Sequence, residues 1–486
     1  MIENDTSRQV GTSTWKKFPS YELEVDPDQN DKAREIQLCS FSRPHMRAFH
    51  CAWWAFFIAF FLWFSINPLL PEIQDSLGLT KQELWNSSIA SVGGTILIRL
   101  IVGPLCDMYG ARILFSLMLC GVAIPTACTG LVQTPRGLMV LRAFIGLAGG
   151  TFVTTEYWTS TMFVKEIVGT ANGLVAGWGN LGASVTQIVM ASFLFPVFTN
   201  MYDGDAEKAW RMVSLIPAAI GFITGVIIYF ISDDAPKGNY AALKKRGVME
   251  NVSGIRSFVV ASLDINTWVL FIQYACCFGV ELTMNTAAAL YFRDVFGQSA
   301  ESAGAIASIF GWMNLFARGA GGVMSDSLNE TMGMRGRILI HALLLLCEGI
   351  AVLIFAKTDT LAGAVIVLVL FSLFVKCANG TSFAITPYIK PPYTGSVSGI
   401  IGAGGNVGGV CFGLAFRDLE YGPAFNIMGW TVIASAFLSV FISIKGHRGL
   451  LHGEDLVVEK ETGEIVDDAK EGEGLLGTST RSNPVV

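Results

Sequence analysis

Two arginines stand where the sequence is otherwise apolar. Arg99 lies in IASVGGTILIRLIVGPLC (89–106), and Arg318 in FGWMNLFARGAGGVMSD (310–326). An arginine at the centre of a bilayer costs about 2.5–3.5 kcal/mol on insertion scales. It cannot escape by losing its proton, so it needs a counter-charge, carbonyl groups or water. Each arginine is followed eight residues later by an aspartate, Asp107 or Asp326, with Gly103 or Gly322 four residues before that aspartate. The acids within apolar runs, Glu156, Glu281 and Glu348, offer a purely structural pairing. Two arginines at equivalent places point instead to a fixed-charge site whose counter-ion is a bound anion. A planar guanidinium fork suits a planar oxyanion.

A second pair of segments accompanies the arginines. GTANGLVAGWGNLG (169–182) and GSVSGIIGAGGNVG (395–408) align at constant offset. Gly169, Gly173, Gly179, Asn180 and Gly182 correspond to Gly395, Gly399, Gly405, Asn406 and Gly408. Gly177 completes a four-residue spacing with Gly169 and Gly173, as Ala403 does in the other copy. Small residues at that spacing let helices approach closely, and packing is the expected role of most of them. A buried amide must be hydrogen-bonded and can donate to an anion, so Asn180 and Asn406 are candidate ligand contacts. Phe152, Tyr157 and Tyr274 are candidate pocket walls. The aromatics of the first span (Trp53 to Phe64) read mostly as lipid-facing or packing residues.

The elements that must position these residues are membrane helices. The chain has 486 residues, 52% hydrophobic and 15% charged, with a mean hydropathy of +0.51. Soluble domains carry about 25% charged residues. At about 20 apolar residues per span, twelve spans are predicted: 48–70, 86–107, 112–131, 136–160, 168–196, 208–232, 266–290, 302–324, 337–357, 359–380, 394–417 and 423–444. The runs are too long, and do not alternate, as barrel strands would. Arg99 and Arg318 fall in spans 2 and 8, and the glycine-asparagine segments in spans 5 and 11. The chain therefore reads as a tandem repeat of six plus six spans, with its site at the interface of the repeats. The domains expected are an uncleaved N-terminal tail (1–47), a first bundle (48–232), a charged linker (233–264) with KKR at 244–246, a second bundle (265–445) and an acidic, disordered tail (446–486).

With both tails cytoplasmic, about two-thirds of the 33 Lys and Arg fall on the cytoplasmic side, as the positive-inside rule requires. The net charge of −6 comes largely from the tails and says little about partners. The ten cysteines are scattered without a CxxC, and the five histidines are dispersed. No metal or cofactor constellation, no enzyme chemistry and no nucleic-acid partner is read from the chain. The sequon at Asn86 abuts a helix start and carries little weight.

GPLCDMYGAR (103–112) resembles the signature between the second and third spans of the major facilitator superfamily, Gly-x-x-x-Asp-x-x-Gly-x-Arg. The resemblance makes Gly103, Asp107, Gly110 and Arg112 residues of a cytoplasmic gate. The second copy keeps Gly322 and Asp326 and is otherwise stretched. The two glycine-asparagine segments, with TFVTTEYWTSTMF, GVELTMN and FGWMNLFARGAGGVMSD, are similar to the paired signatures of the nitrate/nitrite porter family, above all its eukaryotic high-affinity nitrate transporters. This implies an all-α fold of two six-helix halves, with nitrate between Arg99 and Arg318 and near Asn180, Asn406 and the signature glycines. Phe152 and Tyr274 are the expected aromatic contacts. Two departures stand out. Glu156 occupies a place where a glutamine is expected, and YACC (274–277) replaces a Tyr-Gly-Tyr-Ser-like stretch, leaving Tyr274 as the substitute. The resemblance further implies plasma-membrane uptake of nitrate and nitrite for assimilation, proton symport, and for some relatives a single-span accessory subunit. Glu156 and Glu281 are the candidate proton carriers. Nitrate/nitrite antiport is the nearer alternative and a sensor on a transporter scaffold the remote one. The paired signatures argue against an organic-anion or sugar-phosphate carrier.

Overall fold

Lipid offers no hydrogen-bond partners, so apolar runs satisfy their own backbone as helices. The computed structural model describes residues 21–453, apart from 248, 250 and 251. The acidic tail from 454 on lies outside the described residues. Among the described residues, eleven helices are each long and apolar enough to cross a membrane. In chain order they begin with α1 His45–Leu77, α2 Gln82–Tyr109, α3 Ala111–Leu131, α4 Pro135–Met162, α5 Val168–Met201, α6 Ala206–Ile231 and α7 Ile265–Phe296. The next, α8, is a broken helix outside the eleven. It comprises Ala300–Trp312 and Ala317–Met332, joined by a 3₁₀ turn at Met313–Leu315. After it come α9 Met334–Phe355, α10 Leu361–Ile389, α11 Pro391–Asp418 and α12 Tyr421–Phe441. Together they make twelve spans in two bundles of six.

The helices outrun several predicted spans, most clearly α10, which continues from 380 to Ile389. Apolarity ends there, but every residue from Lys376 to Ile389 is buried against other helices. Polar side chains with protein neighbours need no apolar run. The α1 aromatics turn mostly inward: Phe56, Phe60, Phe61 and Trp63 are buried, while Trp54 is exposed. The outer surface carries Leu97, Ile101, Phe222, Phe230, Ile366 and Trp430, an apolar belt fit for lipid.

The two bundles meet where α2 packs on α11 and α5 packs on α8 and α10. These are the helices that carry the arginines and the glycine-asparagine segments. Residues 21–44, ahead of α1, are ordered too. A small hairpin, β1 Val25–Asp26 with β2 Lys32–Ala33, lies on the α4–α5 loop. Lys32 donates to the Ser160 carbonyl at 2.7 Å and Gln29 to Glu166 at 2.9 Å.

Candidate functional site

Arg99 and Arg318 are both buried, at 0% and 1% exposure. Arg99 projects from α2. Its Nε donates to the Gly149 carbonyl at 2.9 Å and its Nη1 to the Gly402 carbonyl at 2.6 Å. Gly149 lies in a 3₁₀ stretch, Gly146–Gly150, that interrupts α4. The Asn406 amide, one turn beyond Gly402 on α11, faces the same guanidinium. Its oxygen belongs there, 3.2 Å from Nε and 3.0 Å from Nη1, because an NH₂ group would oppose two donors. Arg99 is thus held by carbonyl dipoles, two of them from the opposite bundle. Its Nη2 is buried without a hydrogen-bond partner.

Arg318 is held differently. It begins the second piece of α8, just after the break, and Nη2 donates to the Tyr274 hydroxyl at 3.0 Å. Nη1 lies 4.0 Å from Glu281 and makes no hydrogen bond. Glu281 itself is fully engaged. The Lys376 ammonium is 2.6 Å away, and Asn314 and Asn379 donate at 3.1 and 2.7 Å. Arg318 therefore borders a charge network confined to the second bundle.

Both guanidinium groups face the same two rings. Arg99 lies 4.8 Å from the Phe152 centroid and 5.3 Å from that of Phe278, and Arg318 lies 5.6 and 5.8 Å from them. Phe152, Phe278 and Tyr274 are mutually stacked, and Phe383 packs edge-on against Phe152 and Tyr274. Two fixed cations, each with one unpartnered guanidinium nitrogen, thus border one aromatic slot. Such a slot excludes water and strengthens the field of its charges. Glu156, one turn after Phe152, is buried with Oε2 unpartnered and lies within electrostatic reach of both arginines.

From the arginines toward one face of the molecule, the bundles touch backbone to backbone. A Cβ on Gly173 would lie 2.6 Å from the Arg318 carbonyl, and one on Gly399 2.6 Å from the Arg99 carbonyl. The first glycines of each segment thus seal the interface between bundles. The last ones pack inside a bundle: Gly182 meets Phe57 of α1, and Gly408 meets Ala275 of α7. The seal ends in two carboxylates. Asp107 accepts from the Gly395 and Ser396 amides at 2.8 and 3.0 Å, from the Ser396 hydroxyl and from Ser257 of the linker. Asp326 accepts from the Gly169 and Thr170 amides at 3.1 and 2.5 Å and pairs with Arg337 at 2.6 Å. Each aspartate therefore caps the N-terminus of a helix in the other bundle, where the helix dipole favours negative charge. Toward the opposite face the bundles separate around a cavity of about 530 Å³, lined by Gln82 and Trp85 on one side and Ala287, Phe416, Asp418 and Tyr421 on the other.

The pattern of the Major Facilitator Superfamily matches residues 52–413. The chain belongs to that superfamily. Among curated relatives, the high affinity nitrate transporter 2.5 of Arabidopsis thaliana is 36% identical over 84% of this chain and 80% of its own length. Its counterpart 2.7 from the same plant is 32% identical over 96% and 98%. The nitrate/nitrite transporter NrtP of Nostoc punctiforme is 26% identical over 83% and 93%. The chain thus falls within the nitrate transporter branch. The solved structure of the proton:xylose symporter XylE superposes with a TM-score of 0.60 at 12% identity, covering 81% of this chain and 95% of that one. At that identity it speaks for the fold alone.

Within this superfamily fold, Arg99, Arg318, Phe152, Tyr274 and Asn406 gather at one slot. Asn180 is buried, and its amide donates to the Ala176 carbonyl of its own helix at 2.8 Å. Arg112 does not meet Asp107. It pairs at 3.6 Å with Asp234, at the start of the linker, and bonds the Tyr229 carbonyl of α6. Gly110, at φ +84°, makes the sharp turn between α2 and α3. Sequence reasoning passed over Phe278, Phe383, Lys376, Arg337 and Ser257. Lys376 carried a visible signal, a lysine inside the apolar run VLFSLFVKCANG (369–380). The rings, Arg337 and Ser257 carried none.

Proposed function

We propose that this protein moves nitrate, and nitrite, across the plasma membrane by alternating access. The observation that carries the reading is the pair of buried guanidinium groups, one from each bundle, on a shared aromatic slot with an unpartnered nitrogen apiece. The names of the relatives supply the ion. A planar monovalent oxyanion accepts from both forks at once, offsets the repulsion between the two cations and draws the bundles together. A ligand shifts such an equilibrium only through differential affinity for its states, and this slot is complete only when both bundles contribute.

Both termini are taken as cytoplasmic, in line with the distribution of Lys and Arg. The Asp107 and Asp326 caps then form the cytoplasmic gate, closed here, and the cavity at Trp85 is the outer vestibule. Uptake into a negative interior opposes an anion by about 2.3 kcal/mol per 100 mV. We therefore assign proton symport, with two protons per nitrate making inward transport electrically favourable. Glu156 suits one of these protons, because it stands beside both arginines with an unpartnered oxygen. Glu281 does not, because its oxygens are already shared among Lys376, Asn314 and Asn379.

The test is nitrate uptake and current in voltage-clamped cells carrying wild type, Arg99→Lys or Arg318→Lys, at acid and neutral external pH. The expected result is an inward positive current with nitrate, larger at acid pH and lost in both variants. Uptake that ignores external pH but follows internal nitrite would replace symport with exchange. Wild type that moves no nitrate, even with a single-span accessory subunit co-expressed, would leave the sensor.

A further inference from the structure

A second buried polar cluster lies behind the anion slot, inside the second bundle. At its centre is Glu348 of α9, 0% exposed, with neither carboxyl oxygen hydrogen-bonded among the described residues. Two turns earlier on α9, His341 donates or accepts at Thr381 through Nδ1 (2.8 Å) while Nε2 is unpartnered. An isolated ionised carboxylate at such a depth is prohibitively costly, so Glu348 holds a proton in the arrangement seen. The groups facing it are few. α10 contributes Lys376, α7 contributes Glu281, Cys276 and Cys277, and α8 contributes Arg318 beyond Glu281. α12 packs on this stretch of α9 through Gly429 and Ile433, without charge.

The charges in this cluster can be redistributed. Lys376 sits 2.6 Å from Glu281 but is not aligned as a hydrogen bond, and it rests 4.4 Å from the Phe310 centroid. Arg318 waits 4.0 Å from the other Glu281 oxygen. Glu281 therefore has two cations competing for it, and Glu348 has none.

We propose that Glu348 carries one of the coupled protons, and that Lys376 moves between Glu281 and Glu348 according to whether Arg318 is occupied by the anion. The proposal rests on the proton-coupled reading above and adds to it a carrier outside the anion slot. While Arg318 stands off Glu281, as in the arrangement seen and as a bound anion would hold it, Glu281 keeps Lys376. Glu348 then lacks a cation, and its carboxylate takes a proton from hydronium on the open side, one O–H bond of hydronium breaking as the carboxyl O–H bond forms. When the anion leaves, Arg318 closes on Glu281, Lys376 turns to Glu348, and that O–H bond breaks, returning the proton to water on the side then open. One anion and one proton thus enter and leave together, with no other reactant.

The experiment measures proton and nitrate fluxes together in proteoliposomes containing wild type, Glu348→Gln or Glu348→Asp, with nitrate counterflow as a control for binding. Glu348→Gln mimics the protonated form. It is expected to keep counterflow while the proton-to-nitrate ratio falls by one. Glu348→Asp should keep the wild-type ratio with a displaced pH profile. An unchanged ratio in a counterflow-competent Glu348→Gln overturns the assignment. If that variant does not fold, a wild-type pH profile in Glu348→Asp overturns it equally. Nitrate flux without protons in wild type would overturn the symport reading itself, and this proposal with it.

Discussion

The two arginines occupy equivalent places in the repeat and live in different electrostatic surroundings. Arg99 is fixed by carbonyl and amide oxygens, two of them from the opposite bundle, and has no ion pair among the described residues. Arg318 stays within its own bundle, on Tyr274 and beside an acid that also holds Lys376. Sequence duplication thus preserved the charge and the gate but not the surroundings of the charge. The first bundle supplies a cation two of whose three oxygen partners, Gly402 and Asn406, are met only when the bundles meet. The second supplies a cation tied to titratable groups. On the proposed reading, an anion bridging the two would link closure of the bundles to proton chemistry in the second.

The comparison can be broken at three levels. The largest effect is expected from Glu281→Gln, which leaves Lys376 and Arg318 buried without their acid. Removing one member of a buried ion pair costs about 3–5 kcal/mol, so thermal unfolding in detergent should come markedly earlier. Glu156→Gln removes no partnered contact and should unfold like wild type. Equal effects of the two substitutions would show that the second bundle is not specially dependent on its acid.

A smaller difference is expected at the gate. Asp326→Asn weakens a cap and also the pairing with Arg337, which keeps Ser325 and the Lys165 and Glu166 carbonyls. Asp107→Asn weakens a cap and the bond from Ser257 of the linker, but no ion pair. Charge-assisted hydrogen bonds are worth about 1.5–3 kcal/mol, so both variants should open the sealed face, Asp326→Asn more so. Thiol labelling of a cysteine placed at Ser396 or Thr170 would read this, and greater opening in Asp107→Asn would reverse the order argued here.

The smallest effect separates the asparagines. Asn406→Ala takes an acceptor from Arg99 and should weaken nitrate affinity about 10-fold, the equivalent of one hydrogen bond of about 1.4 kcal/mol. Asn180→Ala removes a bond to its own helix and should change affinity about twofold or less. Matching losses in nitrate-binding titrations would restore the symmetric picture of two flanking amides.

Much of this protein was legible before any coordinates. Long apolar runs in a chain this poor in charge can only be helices in lipid, and a charge inside one of them is conspicuous. Hence the spans, the repeat, Arg99 and Arg318 could be read directly, and Asp107 and Asp326 by their repeated spacing, while a gate role for them came from the family resemblance. α8 was found as a span but not as a broken one, since the turn at Met313–Leu315 contains no proline or glycine. The Asn180 and Asn406 pair shows the limit most clearly. Identical residues at the same offset gave the same expectation, yet one amide turns to its own helix and the other crosses to Arg99.

The sequence alone thus determined which side chains are charged, how deep along a helix each lies and which positions repeat, because these depend on composition and on the 1.5 Å rise per residue. Tertiary structure alone decided what stands opposite each of them: Asn406 and Gly402 before Arg99, Tyr274 and Glu281 before Arg318, and, among the described residues, no hydrogen-bond partner for Glu348. A helical pattern records which face of a helix is polar. The partner on that face comes from a helix hundreds of residues away in the chain, and its identity is set by how the two bundles pack.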